Sequence, residues 1–225
     1  MACVEQLRIE HLHHGGGGSV VIEPARLAKR STQLKSSMVR DWLMFIVLVA
    51  LGATGRWLFR DVPNFTPTAG AAVFAGLYFR SSIMAFLVPL AVMVVSNIGI
   101  QSYGNWGMLA VVYAALLFPV ILTRILSRTT SNHRHLKPMG MLACGVLPSM
   151  FFFVTTNVAV WYGGEMYPPT WPGLVTCFTQ AIPFYHYTLL GDLLFVGIAL
   201  VSYETLASTD KSSQALPVEG YEGRT

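Results

Sequence analysis

The chain has 225 residues, of which 53% are hydrophobic and only 12% charged, with a mean hydropathy of +0.53. A soluble domain carries about 25% charged residues, so these proportions exclude an ordinary water-soluble globular fold. The net charge of +4 and pI near 9.1 would suit a nucleic-acid binder, but the placement of the basic residues excludes that class as well.

Residues 1–40 read as a cytoplasmic N-terminal extension. The opening MACVEQLRIEHLHH lacks the basic, apolar and small-residue order of a signal peptide. Gly15 to Ser19 spell GGGGS, a flexible linker by composition. Cys3, His11, His13 and His14 read as polar residues of a loose end rather than a metal set. Cys144 and Cys177 are the other two cysteines, and the wide spacing gives neither a CxxC pair nor a disulfide framework.

Residues 41–205 are expected to form an all-α, polytopic domain of six transmembrane helices. A bilayer crossing needs about 20 predominantly apolar residues. The first run, from about Trp42 to Phe59, holds a dense group of small residues at Ala50, Gly52, Ala53, Thr54 and Gly55. Such a face lets a second helix approach closely within lipid, either inside this chain or on a partner subunit. After the Pro-bracketed segment 60–67, the second run, Thr68 to Phe79, is short for a crossing. It is either tilted and extended or partly re-entrant. The third run spans Ile83 to Ile100, the fourth Met108 to Ile125, and the fifth Met139 to about Val160. The sixth is placed from near Pro183 to about Tyr203, leaving 206–225 as a disordered cytoplasmic tail.

Between the last two runs, TTNVAVWYGGEMYPPTWPGLVTCFTQAIPFYHYTLLGD (155–192) combines helix-breaking and polar residues. The fifth helix is expected to run out at Thr155, Thr156 and Asn157, before a Gly-Gly turn and Glu165. Polar and irregular chain at membrane depth is costly unless it is buried in protein or lines a wet cavity, so this stretch is the first candidate for a site.

Six crossings put both termini on one side. That side then collects 13 of the 15 Lys and Arg residues, and the other receives only Arg56 and Arg60. Positive charge is retained in the cytoplasm, so both termini are expected there, in the bacterial inner membrane. The basic residues are thus a topology signal, and no nucleic-acid partner is implied.

On this topology the outer face gathers amides and aromatics: Asn64, Asn97, Gln101, Tyr103, Trp106, Asn157, Trp161 and Trp171. They are either an interfacial belt or the walls of a small-molecule site. Asp192, inside LLGDLLF, is the sharpest single residue. Its charge needs a partner, a ligand or water at that depth, with Arg56 one candidate partner. Asn64, Asn97, Asn157, Trp161, Tyr185 and Asp192 are the candidate substrate-binding residues. HExxH, GxSxG and paired carboxylates do not occur, and His133 and His135 fall in a cytoplasmic loop, so the chain reads as a non-enzyme with no metal or other cofactor.

PNFTPTAGAAVFAGLYF (63–79), the Ser96-Asn97 ending of the third span, TTNVAVW (155–161) and YPPTWPGLVTCFTQAIPFYHYTLLGDLLF (167–195) carry a resemblance. Over roughly residues 42–203 the chain resembles an uncharacterised bacterial family of six-helix membrane proteins. That family is similar to the substrate-binding S components of energy-coupling-factor (ECF) vitamin transporters. The resemblance implies a six-helix bundle with cytoplasmic ends and a small-molecule substrate, vitamin-like, bound near the outer face. It also implies a membrane coupling subunit docked on Ala50, Ala53 and Thr54, with ATPases supplied by cytoplasmic partners. Where that family's third span ends in Ser-Asp this chain has Ser96-Asn97, which removes an acidic group there. An accessory membrane subunit without transport activity is the other class the sequence leaves open.

Overall fold

The computed structural model describes residues 24–99, 105–129, 138–163 and 166–214. Among them every regular element is an α-helix: α1 (Pro24–Leu58), α2 (Thr68–Tyr78), α3 (Ser82–Asn97), α4 (Trp106–Ala115), α5 (Phe118–Thr129), α6 (Pro138–Gly163) and α7 (Trp171–Gln214). The chain divides into two units, Met1–Arg40 and Asp41–Thr225. In the first unit residues 24–40 are helical, continuous with the rest of α1. The GGGGS segment, the Cys3 and histidine group, Gln101, Tyr103, His133, His135, Glu165 and the tail beyond 214 lie outside the described residues.

In the second unit, four helical segments are long and apolar enough to cross a membrane: Lys35–Leu58 (counted with the end of the first unit), Trp106–Arg128, Met139–Gly163 and Trp171–Thr209. Large apolar side chains such as Ile46, Leu51, Leu147, Ile182, Leu190 and Val201 stand exposed along them. In water such surfaces would be a liability; against lipid tails they are the expected solution. The chain is an all-helical membrane protein.

The short helix α2 is the middle of the bundle. Its 11 residues rise about 16 Å, roughly half the hydrocarbon thickness. Its residues from Thr68 to Gly76 are buried, except for half-buried Ala71. A helix enclosed by protein need not match the lipid thickness, because mismatch acts on lipid-facing surface. Small residues make the enclosure tight: Gly70 lies against the Phe195 carbonyl of α7, and Gly76 against Thr123 of α5. The core around α2 is built from Ala72, Phe74, Ala75, Val88, Val120, Ala199 and Tyr203. Where α2 ends, Arg124 of α5 donates from Nη2 to the carbonyls of Phe79 (2.8 Å) and Ser81 (3.1 Å). A cation at the C-terminal end of a helix satisfies carbonyls the ladder leaves open and complements the dipole.

The apolar segment Trp106–Arg128 is broken. Pro119 has no N–H for the carbonyl of Ala115, four residues back, so α4 closes with bonds to Val112 and Ala114, and α5 begins at Phe118.

The largest departure from expectation is at α6 and α7. Thr155, Thr156 and Asn157 do not end the fifth helix, which continues to Gly163. Their side chains bond back to the carbonyls of Phe151, Phe152 and Phe153, each at 2.7 Å, and are satisfied without unwinding it. Nor does the last helix begin near Pro183. It starts at Trp171, where the Thr170 hydroxyl accepts from the Gly173 N–H (3.3 Å), and runs through Pro183 to Gln214. Helix-interior prolines are tolerated in membranes because neighbouring helices re-satisfy the freed groups. Residues 206–214, expected in a disordered tail, are therefore helical. The broad connection expected between these two helices shrinks to 164–170.

Candidate functional site

Three segments converge where the α4–α5 break faces α7. The connection 59–67 folds back over α7 because Gly191 has no side chain: a Cβ there would meet Phe65 at 3.1 Å. Phe59, Phe65 and Phe195 close around this contact, their ring centroids 5.1 to 5.7 Å apart. Asn64 holds the bend in a left-handed conformation, φ 58°. Among non-glycine residues Asn accepts that conformation most readily.

Under this fold-back lies a chamber of about 50 Å³ lined by Arg56, Asn64, Thr66, Thr188 and Asp192, with Ala115, Leu116, Pro119 and Pro148 among its walls. Asp192 is only 7% exposed. Among the described residues, no hydrogen bond or ion pair reaches its carboxyl group, whose oxygens keep access to the open side of the chamber. Several kcal/mol is the usual penalty for a desolvated ion without compensation. Arg56 enters from α1, and Nε donates to Ser96 Oγ (2.7 Å) and Nη2 to Asn97 Oδ1 (3.4 Å). Asn97 in turn lies 3.5 Å from the Tyr113 hydroxyl.

A second chamber of about 240 Å³ adjoins the first, sharing Asn64, Phe152 and Thr188. Its further walls include the aromatic and amide side chains of Phe153, Asn157, Phe184 and Tyr185, beside Met108, Val160 and Ala181. Together the two approach the roughly 300 Å³ at which small-molecule pockets begin. Tyr185, Thr188 and Asp192 are three and four residues apart, so one face of α7 serves both chambers.

Four of the six expected substrate-binding residues thus line the chambers: Asn64, Asn157, Tyr185 and Asp192. Asn97 lines neither and instead holds Arg56. Trp161 also lines neither: its indole N–H donates to the Pro168 carbonyl (3.1 Å), tying down the α6–α7 connection. Sequence reasoning passed over Thr66, Thr188 and Phe152. The four-residue spacing from Thr188 to Asp192 was the available signal for one of them. On α1 the small residues divide: Ala53 is buried, Ala50 and Thr54 are exposed, and Gly52 packs inward against Val92.

A protein-family model matches residues 36–215, which includes every residue of both chambers. The chain belongs to DUF6580. DUF6580 is described as a family of unknown function. No curated protein and no solved structure matches the chain. The chemistry of this DUF6580 site therefore has to be read from its own geometry. It offers a carboxyl group, a guanidinium, amides and hydroxyls in a partly open space with aromatic surroundings. Among the described residues, no group of three or more His, Cys, Asp or Glu is placed to hold a metal.

Proposed function

We propose that this DUF6580 chain is the small-molecule-binding membrane subunit of an uptake transporter. One observation carries the reading: Asp192, 7% exposed and bonded by none of the described residues, faces a partly open chamber that adjoins an aromatic one. A side chain kept at that cost in stability is characteristic of a functional site. The resemblance to S components of ECF transporters supports the same reading and supplies its expectations: a vitamin-like substrate, a membrane coupling subunit and cytoplasmic ATPases. No Walker motif occurs in the sequence, so ATP hydrolysis belongs to those partners.

Both termini are assigned to the cytoplasm of a bacterial inner membrane, on the charge distribution. This parity survives the shortness of α2 and α3. Whether they cross as two short spans or enter and leave as a hairpin, the number of crossings is even. A coupling subunit would meet α1 through exposed Ala50 and Thr54. Beside that face, an apolar groove of about 430 Å³ runs between α1, α2 and α7, lined partly by Gly52, Gly55 and Gly70. The same groove favours the second reading, an accessory subunit that only holds a neighbour.

Thermal unfolding of the purified chain in detergent, against vitamins, their precursors and divalent metals, separates the two. A ligand of the folded state stabilises it by about 2.7 kcal/mol at a hundredfold excess over Kd. Saturable stabilisation by one compound supports the binding subunit. A flat panel with a stoichiometric co-purifying membrane protein supports the accessory reading.

A further inference from the structure

The larger chamber differs from the smaller one in what its walls leave out. Arg56 and Asp192 line only the smaller, and the walls of the larger include no Asp, Glu, Lys, Arg or His. Resting on the small-molecule reading above, we infer that the part of the ligand held there is an uncharged aromatic ring bearing amide-type hydrogen-bonding groups.

Aromatic side chains supply the ring's surroundings. Phe153 of α6 and Tyr185 of α7 meet with centroids 4.7 Å apart, and Phe152 and Phe184 add two further rings. A flat aromatic body packs against such surfaces in offset or edge-on contact. The polar groups among them are uncommitted. Thr123, Thr155, Thr156, Thr176 and Thr179 each donate to the carbonyl four residues back, at 2.7 to 2.9 Å. Thr188 makes no such bond although it is only 6% exposed, and it lines both chambers. Among the described residues, the Tyr185 hydroxyl and the Asn64 side-chain amide are likewise without a hydrogen bond. Asn157 donates from Nδ2 to the Phe153 carbonyl (2.7 Å), while its Oδ1 has only the Cys177 Sγ at 4.0 Å. These are donors and acceptors without charge, and a buried one left unanswered costs stability. An amide, a carbonyl or a ring amine answers them. An ion entering the chamber would lose water with no opposite charge in the walls to compensate. Asp192 meets the ring's polar edge only across the smaller chamber, whose volume of about 50 Å³ has room for water but not for a ring.

The test is thermal unfolding of the full chain in detergent, titrated with benzamide, benzoate and benzamidinium and with the matching naphthalene series. The members of each series share a ring and a shape and differ in charge: none, negative or positive. The expected result is a saturable shift with the uncharged member of at least one series, and binding at least about tenfold weaker for both of its charged isosteres. Thr188→Val keeps the shape and removes the hydroxyl. It should weaken that binding about two- to tenfold, the scale of one neutral hydrogen bond, with the unliganded melting temperature unchanged. Tyr185→Phe should do the same, and it decides alone if the first variant does not fold. Equal or tighter binding of either charged isostere overturns the uncharged class. Undiminished binding in every variant that folds places the ring elsewhere and overturns the assignment to this chamber. Silence from both series overturns the inference. A shift with some vitamin, precursor or metal then leaves the binding-subunit reading standing, and no shift with any of them removes both.

Discussion

Asp192 and Asn64 are the residues at which folding and function pull apart. A carboxyl group that no described residue bonds is a liability at 7% exposure. Asp192→Asn keeps the shape and removes the charge, so the melting temperature should stay level or rise while ligand response is lost; a marked fall in stability would assign Asp192 a structural role. Asn64 carries its strain in the backbone, at φ 58°. Asn64→Gly should leave stability nearly unchanged, whereas Asn64→Ala should cost about 1 kcal/mol or more, because an L side chain in that region is disfavoured. Both remove the amide from the chambers. Denaturant titration of the two variants checks the difference. From the sequence, Asp192 was legible because a lone carboxylate in LLGDLLF has few ordinary explanations. Thr66 and Thr188 were not, since hydroxyls recur throughout apolar helices and only the fold shows which of them face a cavity.

At the scale of elements, the bundle depends on close approach to α2. A Cβ at Gly70 would sit 2.5 Å from the Phe195 carbonyl, a backbone atom that cannot swing aside, while nothing lies within 4 Å of a Cβ at Gly197. Gly70→Ala should therefore destabilise by about 1–3 kcal/mol, and Gly197→Ala, in the same region of α7, should be neutral or mildly stabilising. Comparable losses in the two would mean that the α2–α7 contact is not what limits stability. Arg124 offers a second case. Replacing it by Met removes two bonds to the Phe79 and Ser81 carbonyls and should cost about 1–3 kcal/mol, measured by the same unfolding assay. The existence and order of the apolar runs were readable from composition and length. The ends of α6 and α7 were not, because Thr155, Thr156 and Asn157 look like a helix terminus until their bonds to the preceding turn are seen. Pro183 likewise reads as a start only when the neighbouring helices are ignored.

For the whole molecule, the membrane class follows from hydropathy, and the topology proposed from charge predicts that reporter fusions at the two ends both report cytoplasm. A mixed result would mean that α2 and α3 contribute an odd number of crossings. The site itself was legible only in part. Asn64, Asn157, Tyr185 and Asp192 meet because Gly191 lets the 59–67 connection fold over α7, a contact between segments more than a hundred residues apart. Trp161 and Asn97 have the right chemistry, but the fold commits them to the Pro168 carbonyl and to Arg56. The central claim, that the chambers hold a small molecule on Asp192, is met most directly by one paired measurement. Wild type and Asp192→Asn are unfolded side by side across the same panel of vitamins, their precursors and divalent metals. The account expects a saturable shift in the wild type and a much weaker one in an equally stable variant. Equal shifts in the two proteins, or none in either, would contradict it.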